Sequence, residues 1–212
     1  RRTQLEASPE HFSAAMLIPF FIVLWSSLRR FSDPAYEDFK IGETVSFLLS
    51  QKDIYRICVA QLLLRLFYSL AVIYLPLYLY EHIGFSWQEI GLMLAVVLLP
   101  FVLLEFPAGK IADRWFGEKE LLTLGFFILS LFVAAIAFIE TGGFLLWTAV
   151  LFMTRVGASL IEITTESYFF KHVQGDDVQV ISVFRMLQPA AYIVGPLLTT
   201  LMLVFFDLRS TF

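Results

Sequence analysis

The chain has 212 residues, of which 58% are hydrophobic, 23 are phenylalanine and only 16% are charged, and its net charge is -4. Soluble domains run about 45–50% apolar and about 25% charged, so this composition argues against a soluble globular domain, and its charge offers nothing to nucleic acid. The charges are bunched between runs that are apolar all round, the mark of helices solvated by lipid and not of stripes facing a soluble core.

A bilayer core of about 30 Å needs about 20 apolar residues in a helix. Six candidate spans are predicted: Phe12–Leu28, the shortest, then Ile54–Tyr80, Trp87–Phe106, Glu120–Ile139, Phe144–Phe169 and Val178–Phe206. Helix is the expected form because a lone lipid-exposed strand cannot satisfy its backbone, and barrel strands would alternate over about ten residues. The fold class is therefore all-α, a polytopic transmembrane helix bundle.

Boundary signals accompany the spans. Asp53 is placed to cap the second, and Ser86-Trp87-Gln88-Glu89 reads as a capping box for the third. Gly142-Gly143 separates the fourth from the fifth, and Pro189 and Pro196 predict a kinked sixth span with close packing at Gly195. The linker between the first two spans is too polar to cross; part of it, "ETVSFLLSQ", fits either a short surface helix or a plain tether.

Loop charges alternate. Arg29, Arg30, Lys40, Lys52 and Arg56 flank the linker, "EHIGFS" has no cation, "GKIADRWFGEKE" carries Lys110, Arg114 and Lys119, "ETGG" has none, and Lys171 follows the fifth span. By the positive-inside rule the cationic segments are cytoplasmic. Trp87 and Trp147 then fall at the outer interface and Trp25 and Trp115 at the inner one, with Tyr74, Tyr78 and Tyr80 as outer anchors.

The loop "GKIADRWFGEKE" resembles the signature loop of the major facilitator superfamily, roughly G-x-x-x-D-R-x-G-R-K, which joins the second and third helices of a six-helix half. Gly109, Asp113, Arg114, Gly117 and Lys119 match in kind, while one extra residue precedes Gly117 and Glu118 stands where a basic residue is usual. "LFMTRVGASL", through Arg155 and Gly157, is similar to the family's arginine-bearing fourth helix, and "YIVGPLLTT", through Gly195 and Pro196, to its glycine-proline fifth helix. The resemblance implies an incomplete six-helix half. Residues 1–28 form an N-terminal segment with a short candidate transmembrane helix, 29–52 a charged cytoplasmic linker, and 53–212 a five-helix portion. It implies spans six to eleven of a twelve-span transporter; a first half with an extra N-terminal segment is the alternative, and the long linker favours the former. It further implies a multi-pass protein of a prokaryotic-type cell membrane, working with the remainder of the same transporter on a small solute, with or without a coupling ion.

Ionised side chains inside a span cost about 2.5–3.5 kcal/mol each on insertion scales. Glu105, Asp113, Arg114, Glu162, Glu166 and Arg185 lie toward the cytoplasmic end and are candidates for an inner gate, with static helix pairing as the plainer reading. Gln61, Arg65, Tyr68 and Ser69 recur at i, i+4, i+7 and i+8, one polar stripe that suits water or substrate better than lipid. These four and Arg155 are the candidate substrate cavity. The polar neighbours of Arg65 favour a binding role, whereas Glu162, on the face of Arg155, favours a structural ion pair there.

Cys58 is a lone thiol in an apolar run, and His11, His82 and His172 are isolated, so neither a metal nor another cofactor is expected. No nucleophile–base motif points to an enzyme. The expected function is solute transport by alternating access; the alternative is a transporter-like scaffold or sensor. In a Cys58→Ser background, Gly84→Cys and Gly142→Cys are expected to react with an impermeant thiol reagent on intact cells, and Gly117→Cys is not. Labelling of Gly117→Cys from outside overturns the orientation.

Overall fold

A computed structural model describes residues 9–28, 41–104, 117–139, 142–173 and 178–205. The chain divides into two units, Arg1–Phe39 and Lys40–Phe212. The first contributes helix α1 (Pro9–Leu28), which carries Pro19 within it. Its fully described apolar part is Ile18–Ser27, where Phe21 stacks on Trp25 at 6.1 Å between ring centroids.

The second unit holds α2 (Ile41–Ser50), α3 (Lys52–Tyr78), α4 (Trp87–Val97), α5 (Glu118–Phe138), α6 (Phe144–His172) and α7 (Val178–Phe205), with no strand among the described residues. Five stretches are long and apolar enough to cross a membrane: Lys52–Ile83, Trp87–Leu104, Glu118–Phe138, Phe144–His172 and Val178–Leu201. They coincide with the second to sixth spans read from the sequence, apart from a few residues at their ends.

Local chemistry explains most of the boundaries. At the head of α4 the Ser86 hydroxyl accepts from the Glu89 N–H at 3.3 Å, while the Glu89 carboxylate accepts from the Ser86 N–H at 2.8 Å. This reciprocal cap satisfies two helix-end donors at once. Past Pro76, α3 widens into one π turn, Leu79–Ile83, and stops at Gly84, whose φ of 85° suits a residue without a side chain. In the third span the regular helix breaks at Leu98, where the missing N–H of Pro100 leaves the Val96 carbonyl without its usual partner; the Leu98 N–H turns back to it. Asp53 does not cap α3 as expected. Gln51 holds the cap position without a side-chain bond, and Asp53, inside the first turn, pairs with Arg56 at 3.3 Å.

α6 is the hub. It packs most extensively against α5 and also touches α3 and α4, while α3 lies against α7. Two glycines allow the α5–α6 contact: a Cβ on Gly157 would sit 2.6 Å from the Leu129 backbone nitrogen, and one on Gly125 would sit 3.0 Å from the Gly157 carbonyl oxygen. At the α3–α7 contact, a Cβ on Gly195 would overlap the Ser69 hydroxyl. Such close backbone approach is how membrane helices associate where lipid is as apolar as the side chains. Leu75, Tyr78, Met93, Ile136 and Trp147 form one buried cluster, and Ile54, Ile57, Phe169 and Phe184 another. Much of the remaining apolar surface is exposed, including Leu63, Val72, Val102, Phe127, Ile193 and Leu197.

α2 distinguishes the two readings of the linker, because it is a helix and not a plain tether. Thr44 and Leu48 are buried, whereas Val45 and Leu49 are exposed. The Thr44 hydroxyl donates to Gln179 Oε1 at 2.9 Å, and Leu48 joins the Ile54–Phe169 cluster. α2 thus rests on α3 and α7.

Gly157→Ala is expected to lower thermal stability in detergent by roughly 1–3 kcal/mol through overpacking at a backbone contact. Gly91→Ala, where a Cβ would meet open space, is expected to leave it unchanged or slightly raised. Equal melting of the two variants would show that the α5–α6 crossing has slack.

Candidate functional site

Helical spacing puts Gln61, Arg65, Tyr68 and Ser69 on one face of α3, and that face meets α6 and α7. All four are buried. With its amide turned to satisfy both neighbours, Gln61 donates to the Thr165 hydroxyl at 2.8 Å and accepts from Arg65 Nη2 at 2.9 Å and Nε at 3.2 Å. Arg65 Nη2 lies 2.8 Å from Glu162 Oε1 and 3.6 Å from Glu166 Oε1. The Tyr68 hydroxyl donates to Glu162 Oε2 at 2.9 Å. Both oxygens of Glu162 are therefore engaged by α3.

The charges continue toward the helix ends. Arg185 Nη1 on α7 lies 3.8 Å from Glu166 Oε1, and its guanidinium stands over the Phe170 ring. Side-chain exposure rises along this seam from 10% at Arg65 through 24% at Glu162 and 33% at Glu166 to 59% at Arg185. The seam thus runs from a buried cation near mid-span of α3 to an exposed one near the start of α7. It joins three helices, and its inner members would carry a large desolvation cost if unpaired.

Arg155 departs from expectation. It forms no ion pair with Glu162; it lies across the face of α3, its guanidinium carbon 5.5 Å from the ring centroids of both Phe67 and Tyr68. Residues seven apart on one helix are separated by about 10.5 Å along its axis, too far for a direct pair, whereas Arg65 faces Glu162 across the helix interface. Ser69 also differs from its expected place in a cavity. It is fully buried, donates to the Leu66 carbonyl at 2.8 Å and packs on Gly195. Pro196 follows within α7, where the Thr199 and Thr200 hydroxyls donate back to the Gly195 and Pro196 carbonyls at 3.0 and 2.8 Å.

Of the signature loop, Gly109, Asp113 and Arg114 lie outside the described residues, as does Glu105. Gly117 caps α5 and Lys119 is exposed in its first turn. Glu118, the acid that departs from the expected pattern, accepts from Lys171 at 2.8 Å and from Ser167 at 3.1 Å, tying the start of α5 to the end of α6. A cavity of about 190 Å³ opens there between Asp53, Arg56, Glu118, Lys119, Thr164 and Tyr168. No group of three metal-ligating side chains occurs among the described residues. Sequence reasoning missed Thr165, Phe67, Gly125 and Glu118. Only the last carried a signal, since Lys171 occupies a loop assigned to the same side.

A family model described as Major Facilitator Superfamily matches residues 57–212. No curated protein and no solved structure matches the chain.

Because Glu162 and Arg65 are partners, Glu162→Gln alone is expected to destabilise the protein by about 3–5 kcal/mol, the usual result of orphaning a buried charge. Adding Arg65→Gln is expected to restore much of that loss. Purely additive effects in a melting experiment would show that the two charges are not coupled.

Proposed function

Because the chain belongs to the major facilitator superfamily, a family of membrane transporters, we propose that it moves a small solute by alternating access, as a secondary transporter. The chain is part of an integral, multi-pass membrane protein. The observation that carries the finer reading is the seam Arg65–Glu162–Glu166–Arg185, with its graded exposure. A static scaffold gains nothing from charges kept deep in hydrocarbon, where apolar packing is at least as stabilising. In a transporter the same groups border a water-filled route, which lowers their cost, and they re-pair as helices rock about a midplane site.

In this reading α3 and α6 form one wall of the route, and the rest of the same transporter forms the other. Gly109, Asp113, Arg114, Gly117 and Lys119, together with Glu118–Lys171, belong to the inner gate, on the cytoplasmic side. Glu162, Glu166 and Arg185 are the charges that exchange partners during the cycle.

The test is uptake into liposomes holding the intact protein. The double variant Arg65→Gln/Glu162→Gln is expected to stay folded, with much of its stability restored, yet to be at least about tenfold slower, the change produced by ~1.4 kcal/mol in the rate-limiting step. Uptake at the wild-type rate would reduce the seam to a structural tie. Absence of uptake for every solute class tried with the wild type, alongside a folded protein, would favour the scaffold reading.

A further inference from the structure

Arg155 stands apart from every other described charge inside the bundle. It lies mid-way along α6 and is 7% exposed, yet among the described residues it has no hydrogen bond and no ion pair. The faces of Phe67 and Tyr68 accept the flat face of its guanidinium but leave its five N–H groups, which lie in the plane, without a hydrogen-bonded acceptor; Tyr192 on α7 is also near enough to act on its charge. Those nitrogens are not sealed in. The Trp147 ring nitrogen is the described side-chain polar atom that is both enclosed and unpartnered, whereas the Arg155 side chain keeps part of its surface exposed. The nearest acid on its own helix face cannot turn to it, because both Glu162 oxygens are held by Arg65 and Tyr68.

We propose that Arg155 is the anchor for a substrate's carboxylate, and that the substrate carries an apolar or aromatic body. A carboxylate lies in the guanidinium plane and takes two N–H bonds at once. Phe67 and Tyr68 hold that plane in place, and Tyr68 is itself fixed by its bond to Glu162 and by edge contact with Phe101 at 6.1 Å. The body of the ligand then meets the half-buried rings of Phe67 and Phe101, which cover the buried Leu64–Leu129–Ile161 cluster. A cation left unneutralised at mid-membrane is costly, and the arriving anion supplies the missing countercharge. The inference rests on the transport reading for calling this ligand a substrate; the binding site itself does not depend on it.

Sodium benzoate, the neutral isostere benzamide, and inorganic phosphate are the probes, titrated into the purified intact protein by calorimetry and by thermal shift. Benzoate is expected to bind and stabilise the wild type, with benzamide and phosphate roughly tenfold weaker or more. Arg155→Gln is expected to lose benzoate binding by a similar factor and Arg155→Lys to fall between, the ammonium lacking the planar fork. If Arg155→Gln does not fold, Phe67→Leu keeps the charge and removes one stacking face, and weaker benzoate binding is expected there too. Benzoate binding that survives Arg155→Gln, that matches benzamide, or that is absent from the wild type overturns the proposal. Tighter binding of phosphate than of benzoate overturns the organic carboxylate in favour of an inorganic anion. Benzoate held through Arg155 but neither carried into liposomes nor competing with any uptake overturns the transport reading and leaves the anion site standing. Normal uptake by Arg155→Gln does the reverse.

Discussion

An ionised side chain placed among lipid chains must find an opposite charge, a set of hydrogen bonds, or water. Arg65 finds the first two: Glu162 at 2.8 Å and, through the turned amide, Gln61. That requirement fixes which face of α3 meets α6, since no other rotation brings the guanidinium to the carboxylate. The same rotation carries Tyr68 to the second Glu162 oxygen and Ser69 to Gly195. One electrostatic necessity thus orients two helix interfaces, and the glycines at 125, 157 and 195 bring the backbones close enough for short side chains to complete the contacts.

The ends of the bundle are held by different means. At one end, aromatic stacking serves: Tyr78 on His82 at 5.2 Å and Tyr80 on Trp87 at 4.9 Å, close to the π turn and Gly84. At the other, polar ties dominate, with Glu118 to Lys171 and Thr44 to Gln179. The Glu118–Lys171 pair, its lysine exposed, contributes little stability, about 0–1 kcal/mol, which makes it easy to break and re-form, whereas the Thr44 bond is buried at its donor. The buried Arg65–Glu162 pair is the firm part of the seam and the exposed Glu166–Arg185 pair the yielding part, as their 2.8 and 3.8 Å separations indicate.

The architecture was largely legible in the sequence. Runs apolar all round marked the five long spans, and Ser86–Glu89 marked where the third begins. Spacing along one helix also identified Gln61, Arg65 and Tyr68 as one face, because helical periodicity is a property of a single element. Partners across elements were not legible. The choice between Arg155 and Arg65 as the mate of Glu162 depends on how two helices are rotated and how deeply each is set, and a one-dimensional spacing carries neither. Asp53 illustrates a smaller failure: the cap position fell two residues earlier, and an acid within the first turn favours the helix end without capping it. Glu118 was read as a loss of the expected cation, whereas the fold uses its negative charge to hold Lys171.

The spans differ in length, and that difference falls unevenly on the seam. Lys52–Ile83 has 32 residues and Phe144–His172 has 29, whereas Glu118–Phe138 has 21. At about 1.5 Å per residue these are ~48, ~44 and ~32 Å long, set against a hydrocarbon layer of about 30 Å. The two helices that hold Arg65 and Glu162 therefore outreach the bilayer furthest, with the 28-residue α7 next, and they must tilt, or project their ends among the headgroups, while α5 fits nearly upright. A thinner or thicker membrane leans on that pair first. Hydrophobic mismatch becomes a mechanical load on the buried ion pair, so lipid thickness is a variable to which the balance between paired and parted charges is directly exposed.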